Sequence, residues 1–155
     1  MRFSEKNGIV YAIKPGDHQA GVDGDSIDTS LCDHVTFLLQ TATLTGDAVL
    51  TVKSGSADGT KTTSETFYYR LAGADQGATG ADVYAAETSA TTLTLTAATY
   101  DNKLLIIEVP TDGLTDGQPY LTLNISDASD AFNASCVAIC SGMRYIANQP
   151  PTLIG

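Results

Sequence analysis

The sequence predicts an all-β protein, an antiparallel β-sandwich of jelly-roll or immunoglobulin-like type with about eight to ten strands and no long helix. Three observations carry this. Threonine alternates with apolar residues, most plainly in Thr92-Leu93-Thr94-Leu95-Thr96. Strand side chains point to opposite faces with a period of two, so Leu93 and Leu95 are expected in a core and the threonines outside. Clusters of Gly, Asp and Ser separate such runs and supply the backbone conformations that turns need. No stretch repeats apolar residues at helical spacing over three turns, and Glu, Lys and Met are scarce.

The elements follow in order. Residues 1–8 read as an N-terminal arm, 9–147 as the sandwich and 148–155 as an extended C-terminal arm. Gly8–Ile13 is a first strand, ended by Pro15-Gly16. The acidic, glycine-rich stretch Asp17–Asp33 offers Val22 and Ile27 as anchors for two short strands. His34–Thr41 places Val35, Phe37 and Leu39 on one face, with Leu38 interrupting the other. Ala48–Lys53 turns Ala48, Leu50 and Val52 inward. Ser54–Thr63 is a polar hairpin loop. Glu65–Leu71 sends Phe67, Tyr69 and Leu71 in, and Tyr68 and Arg70 out. Ala72–Ala86 is a Gly/Ala-rich loop, mobile or ordered only against a partner. Thr91–Thr96 is followed by Lys103–Val109, which is apolar on both faces: Leu105, Ile107 and Val109, and also Leu104 and Ile106. Such a strand is central in the sandwich or buried in an oligomer contact. Tyr120–Ile125, Ser135–Ser141 and Arg144-Tyr145-Ile146 complete the set. Pro150-Pro151 imposes an extended tail, and its Leu153 and Ile154 have no core of their own.

Composition narrows the function. The 155 residues carry a formal net charge of −10 with only eight Lys and Arg, scattered among acids. Neither phosphate backbones nor anionic membranes attract such a surface, so neither nucleic acid nor membrane is an expected partner. The charge favours solubility of a protein made in quantity. No apolar run approaches the roughly 20 residues of a spanning helix. The polar start Met1-Arg2-Phe3-Ser4-Glu5-Lys6 has no signal-peptide core, so the expected compartment is the cytosol. The three cysteines cannot all pair within one chain. Cys136 and Cys140 would lie roughly 13 Å apart along a strand, too far to bridge, and all three read as small buried hydrophobes.

No motif carries chemistry. Asp23-Gly24-Asp25-Ser26-Ile27-Asp28 starts like a calcium loop, but the sixth and twelfth positions hold Asp28 and His34 where Gly and Glu are needed. His18 and His34, the only histidines, make no zinc triad without a third ligand. No Gly-x-Ser-x-Gly elbow exists. Glu5, Glu65, Glu87 and Glu108 are the only glutamates, and no Trp offers a sugar platform. The tyrosines Tyr11, Tyr68, Tyr69, Tyr84, Tyr100, Tyr120 and Tyr145 are spread along the chain. Asn124-Ile125-Ser126 and Asn133-Ala134-Ser135 match the glycosylation pattern but mean nothing without a secretory route. No catalytic residue, metal ligand or cofactor is assigned.

The Thr/Ala/Gly/Asp-rich style resembles small structural proteins of tailed bacteriophages, in particular head decoration (cement) proteins. The segments that carry the likeness are Ser26–Leu39, Gly46–Val52, Asp101–Val109 and Pro119–Ile125, with Arg144-Tyr145 and Pro150-Pro151 at the end. The resemblance implies a non-enzymatic β-sandwich that adds onto a capsid shell. Its partners would be the major capsid protein and its own copies, as a homotrimer, in a virion assembled in the host cytoplasm. The contact residues expected are Leu104, Ile106, Pro150, Pro151, Leu153 and Ile154. A glycan-binding or adhesin module of a head or tail fibre is the alternative.

Overall fold

Why the chain alternates as it does becomes plain in the strand pairing. The computed structural model describes residues 2–144 and 152–155. Among them, twelve strands form two antiparallel sheets. In chain order they are β1 (Gly8–Asp17), β2 (Val22–Asp23), β3 (Ile27–Asp28), β4 (His34–Leu44), β5 (Ala48–Gly55), β6 (Thr63–Ser64), β7 (Phe67–Leu71), β8 (Thr88–Ala90), β9 (Thr92–Leu95), β10 (Leu104–Pro110), β11 (Tyr120–Ile125) and β12 (Phe132–Ser141).

The larger sheet runs β1-β12-β4-β10-β7-β8. In the other, β11 and β5 pair at the centre. β2 and β3 share the outer edge of β11, while β6 and β9 share that of β5. Taking each of those short pairs as one interrupted strand, the chain crosses between sheets at nearly every step. One sheet then holds the first, last, third and sixth strands, and the other the second, seventh, fourth and fifth. That is the double Greek key of a jelly roll and not the immunoglobulin order, which settles the two expected alternatives. β7 and β8 extend the larger sheet beyond β10. The crossing from β4 to β5 takes only Thr45-Gly46-Asp47. There a Cβ on Gly46 would stand 2.5 Å from the Ala128 carbonyl oxygen, so the corner admits only glycine.

The core lies between the sheets. Val35, Phe37 and Leu39 from β4, and Leu105, Ile107 and Val109 from β10, meet Leu50, Val52, Leu121, Leu123 and Ile125 from the facing sheet. All are the alternating positions of their strands. Leu95 joins them, whereas Leu93 is only half-buried.

Several expectations change. β1 does not stop at Pro15-Gly16 but continues to Asp17 through two register shifts. An edge strand tolerates Pro, which has no N–H to donate, and bulges blunt its exposed edge. The 72–86 loop is held by its own hydrogen bonds, including Gly73 N–H to the Val83 carbonyl at 2.8 Å, and by a bridge between Ala72 and Tyr84. Ala97–Tyr100 forms a single helical turn. The expected element at Tyr145-Ile146 lies outside the described residues.

The tail also differs. Leu153 is not free: it is 4% exposed and belongs to the chain's own core. Asp28 N–H donates to its carbonyl at 2.7 Å, and Ile154 bridges Ile27. Leu153 and Ile154 thus dock at the edge of the chain's own sheet through one bridge and one main-chain hydrogen bond. Leu153→Ala is expected to cost about 2 kcal/mol, read as a lower urea midpoint with an unchanged slope.

One buried acid ties the sandwich end together. The Glu65 carboxylate accepts from the Ser54 hydroxyl at 2.5 Å and from Thr115 N–H at 2.9 Å. Burial opposes its ionisation, but these hydrogen bonds prevail and hold its carboxyl below the ordinary value of 4.5. A carboxyl depressed in the folded state stabilises the fold above its unfolded pKa, and this is lost as pH falls through the folded value. Glu65→Gln is therefore expected to lower stability at pH 7 and to flatten the loss below about pH 4.5. Thermal melts from pH 7 to pH 3 check this.

Candidate interaction surface

An antiparallel sheet of a sandwich normally turns polar residues to solvent. The outer face of the larger sheet does so only at its margins. Paired positions across β1, β12 and β4 place Ile9 beside Ile139 and Thr36. The next row places Val137 beside Leu38 and Leu38 beside Ile106, with Arg70 at its end. Tyr11 lies on β1 two residues along from Ile9. Ile9 is 53% and Tyr11 58% exposed, and Leu38, Ile106, Val137 and Ile139 are half-buried. An apolar stripe therefore crosses four adjacent strands.

Two side-chain pairs lie at its margins. Glu108 pairs with His34 at 3.5 Å, and Arg70 lies 3.9 Å from Glu87. These exposed pairs add little stability. Arg70 and Glu87 cancel each other's charge, while Glu108 is compensated only when His34 is protonated.

Of the contact residues expected from sequence, Ile106 lies at the middle of this stripe. Leu104 lies two residues along, at the lip of a groove of about 710 Å³ bordered by Gln40, Gln76, Asn102, Asn133 and Ser135. Leu153 is withdrawn from the set, because its side chain is spent on the chain's own core. Ile154 is exposed at the opposite sheet's edge, away from Ile106. Pro150 and Pro151 lie outside the described residues. The sequence reading missed Ile9, Tyr11, Val137 and Ile139. Each sits between core residues of its strand, so the signal was an apolar residue on both faces at two strands, β1 and β12. Only the strand order reveals that they are neighbours.

His18 Nε2 lies 2.8 Å from the Lys14 carbonyl oxygen. Cys32, Cys136 and Cys140 are free and buried. Burial pushes the Cys136 thiol up to about 12, and contact with Cys32 together with burial raises that of Cys140. The proximity of Cys32 and Cys140 is set by β4 and β12 lying side by side and was invisible in their spacing. Among the described residues no group of three or more His, Cys, Asp or Glu is placed to hold a metal ion, and no helix is long and apolar enough to cross a membrane.

Fold and surface together define a jelly-roll sandwich with an apolar stripe on one outer face. No protein-family model matches the chain, and no curated protein matches it closely enough to count as a relative.

Proposed function

We propose that this chain is a non-enzymatic structural protein of a virion, a capsid decoration or stabilising protein that works by burying surface between subunits. The observation that carries the reading is the apolar stripe Ile9–Tyr11–Val137–Leu38–Ile106, which is left uncovered by the described residues. Exposed apolar surface of this kind costs solubility unless a partner covers it. A jelly roll is a fold that capsid domains use, though it serves lectins and cupins too. In this reading the stripe packs against another copy or against the major capsid protein, and many symmetric copies multiply a modest contact through avidity.

The test is the mass in solution by light scattering, followed by sedimentation with and without purified capsids. A multiple of 16.2 kDa that co-sediments with capsids supports the reading. A monomer that ignores capsids at high protein concentration removes it.

A second reading, a glycan-binding or adhesin module, draws on the groove beside Leu104, whose amide side chains both donate and accept hydrogen bonds as sugar hydroxyls require. Its weakness is the absence of an aromatic in that wall. A glycan array without hits discounts it.

A further inference from the structure

Two free cysteines of the core, Cys32 and Cys140, are each 0% exposed and play no part in the outer stripe. Far apart in sequence, they are brought together by the pairing of β12. Cys140 lies on β12, opposite Val35 of β4 and Gly8 of β1. Cys32 just precedes β4, and main-chain hydrogen bonds on both sides hold its segment against the end of β12. Asp33 N–H donates to the Ser141 carbonyl at 3.0 Å, and Arg144 N–H to the Leu31 carbonyl at 2.9 Å. Ser141 is also the register partner of His34. Asp33 and His34 thus share one opposing residue, as in a β-bulge. Alternation back from Val35 would turn Cys32 outward. The extra residue turns it inward instead, to the face of Cys140, and the two thiols are hydrogen-bonded to each other.

Two thiols in contact can do what a lone buried thiol cannot: lose two electrons together. The hydrogen bond from Cys140 favours the Cys32 thiolate and holds that thiol below its ordinary value, although burial opposes this. Cys32 is therefore the attacking sulfur. Cys136, on the same strand as Cys140, has Ile13 and Leu39 as its cross-strand partners and serves as an internal control.

We infer that Cys32 and Cys140 form a reversible disulfide when the protein meets an oxidising medium, stapling the start of β4 to the end of β12. With hydrogen peroxide as the oxidant, the Cys32 thiolate attacks one peroxide oxygen. The O–O bond breaks, and the departing hydroxide takes up the proton that Cys32 released and leaves as water. The Cys140 sulfur then attacks the Cys32 sulfenic acid. The S–O bond breaks, and the hydroxyl leaves with the Cys140 proton as a second water. Two electrons have passed from the sulfurs to the peroxide. The bond closes a loop of about 110 residues, a length at which the constraint on the unfolded chain is large. It also lies where Gly8 packs against both Cys140 and Leu153, so it fixes the end of the sandwich at which β1 begins and Leu153 docks. The inference stands apart from the virion reading and from the outer stripe. A reducing cytosol keeps the pair as thiols.

The experiment exposes the full chain to hydrogen peroxide, unfolds it and counts free thiols by N-ethylmaleimide labelling and intact mass. The untreated protein takes three labels. After oxidation one label is expected, placed on Cys136 by peptide mapping, and dithiothreitol should restore all three. The thermal midpoint should rise reversibly by roughly 10 °C. Cys136→Ala should keep the whole response and end with no label, whereas Cys32→Ala should keep both of its thiols. The count on the unaltered chain decides the matter even where a variant fails to fold. Three labels under conditions that fully oxidise free cysteine overturn the inference. So do a remaining label on Cys32 or Cys140, a disulfide between chains, loss of thiols that dithiothreitol does not reverse, or a closed bond with no rise in the midpoint.

Discussion

On the proposed reading, Leu38→Glu is expected to abolish self-association and leave the fold intact. Leu38 sits at the centre of the apolar stripe, between Val137 and Ile106. Its side chain points away from the core that Phe37 and Leu39 fill. In the isolated chain a glutamate there can turn its carboxylate to water from a half-buried position, and the cost is about the 1 kcal/mol span of strand preferences. Inside a contact it is a buried, unpaired carboxylate, which costs several kcal/mol. At about 1.4 kcal/mol per factor of ten, association weakens at least a hundredfold. Light scattering should then return the 16.2 kDa of one chain, with the thermal midpoint little changed at low concentration. Leu38→Thr, which suits a strand and adds no charge, should give a smaller loss. An undiminished oligomer in Leu38→Glu would move the contact off this face, and the terminal tail would become the next place to look.

Phe37→Ala is expected to give the largest loss of stability. Phe37 is fully buried in β4, an interior strand paired with β12 on one side and β10 on the other. Removing its ring forfeits transfer energy and leaves a cavity that paired strands cannot collapse to fill, a cost of about 3–5 kcal/mol. Single domains hold only about 5–15 kcal/mol in all. Equilibrium urea unfolding should show a much lower midpoint at the same slope, and the thermal midpoint should fall by roughly 10 °C. Phe37→Leu, which keeps most of the volume, should cost far less. A change below about 1 kcal/mol would mean that the two sheets do not close over this position as described.

These two substitutions, one residue apart, show which parts of the molecule were legible in its sequence. The inward direction of Val35, Phe37, Leu39, Leu50, Val52, Leu105, Ile107 and Val109 follows from alternation, because a strand reverses its side chains at every residue whatever it pairs with. The twofold apolar character of Lys103–Val109 was equally visible, and it marked Ile106 as surplus to the core. The companions of Ile106 were not visible. Leu38, Val137 and Ile9 lie far from it along the chain, and pairing across those distances leaves no local trace. Thr122 misled in the opposite sense. It occupies an outward position of β11, where threonine suits solvent, yet it is buried beneath Asp23–Ser26 and Ile154. Glu65 shares the inward parity of Phe67 and Tyr69, and it is buried as an anchor for the Thr115 loop.

The sequence by itself determined the class, the main strands and the inward residues of those strands, because these depend on a period of two and on turn chemistry, both local. Tertiary structure decided the jelly-roll order, the docking of Leu153, the meeting of Cys32 with Cys140, the continuous stripe on one sheet and the burial of Thr122 on the other. Each of these needs residues from distant strands to be brought together. In a fold whose chain crosses between sheets at nearly every step, that closure belongs to the whole sandwich and to no single segment.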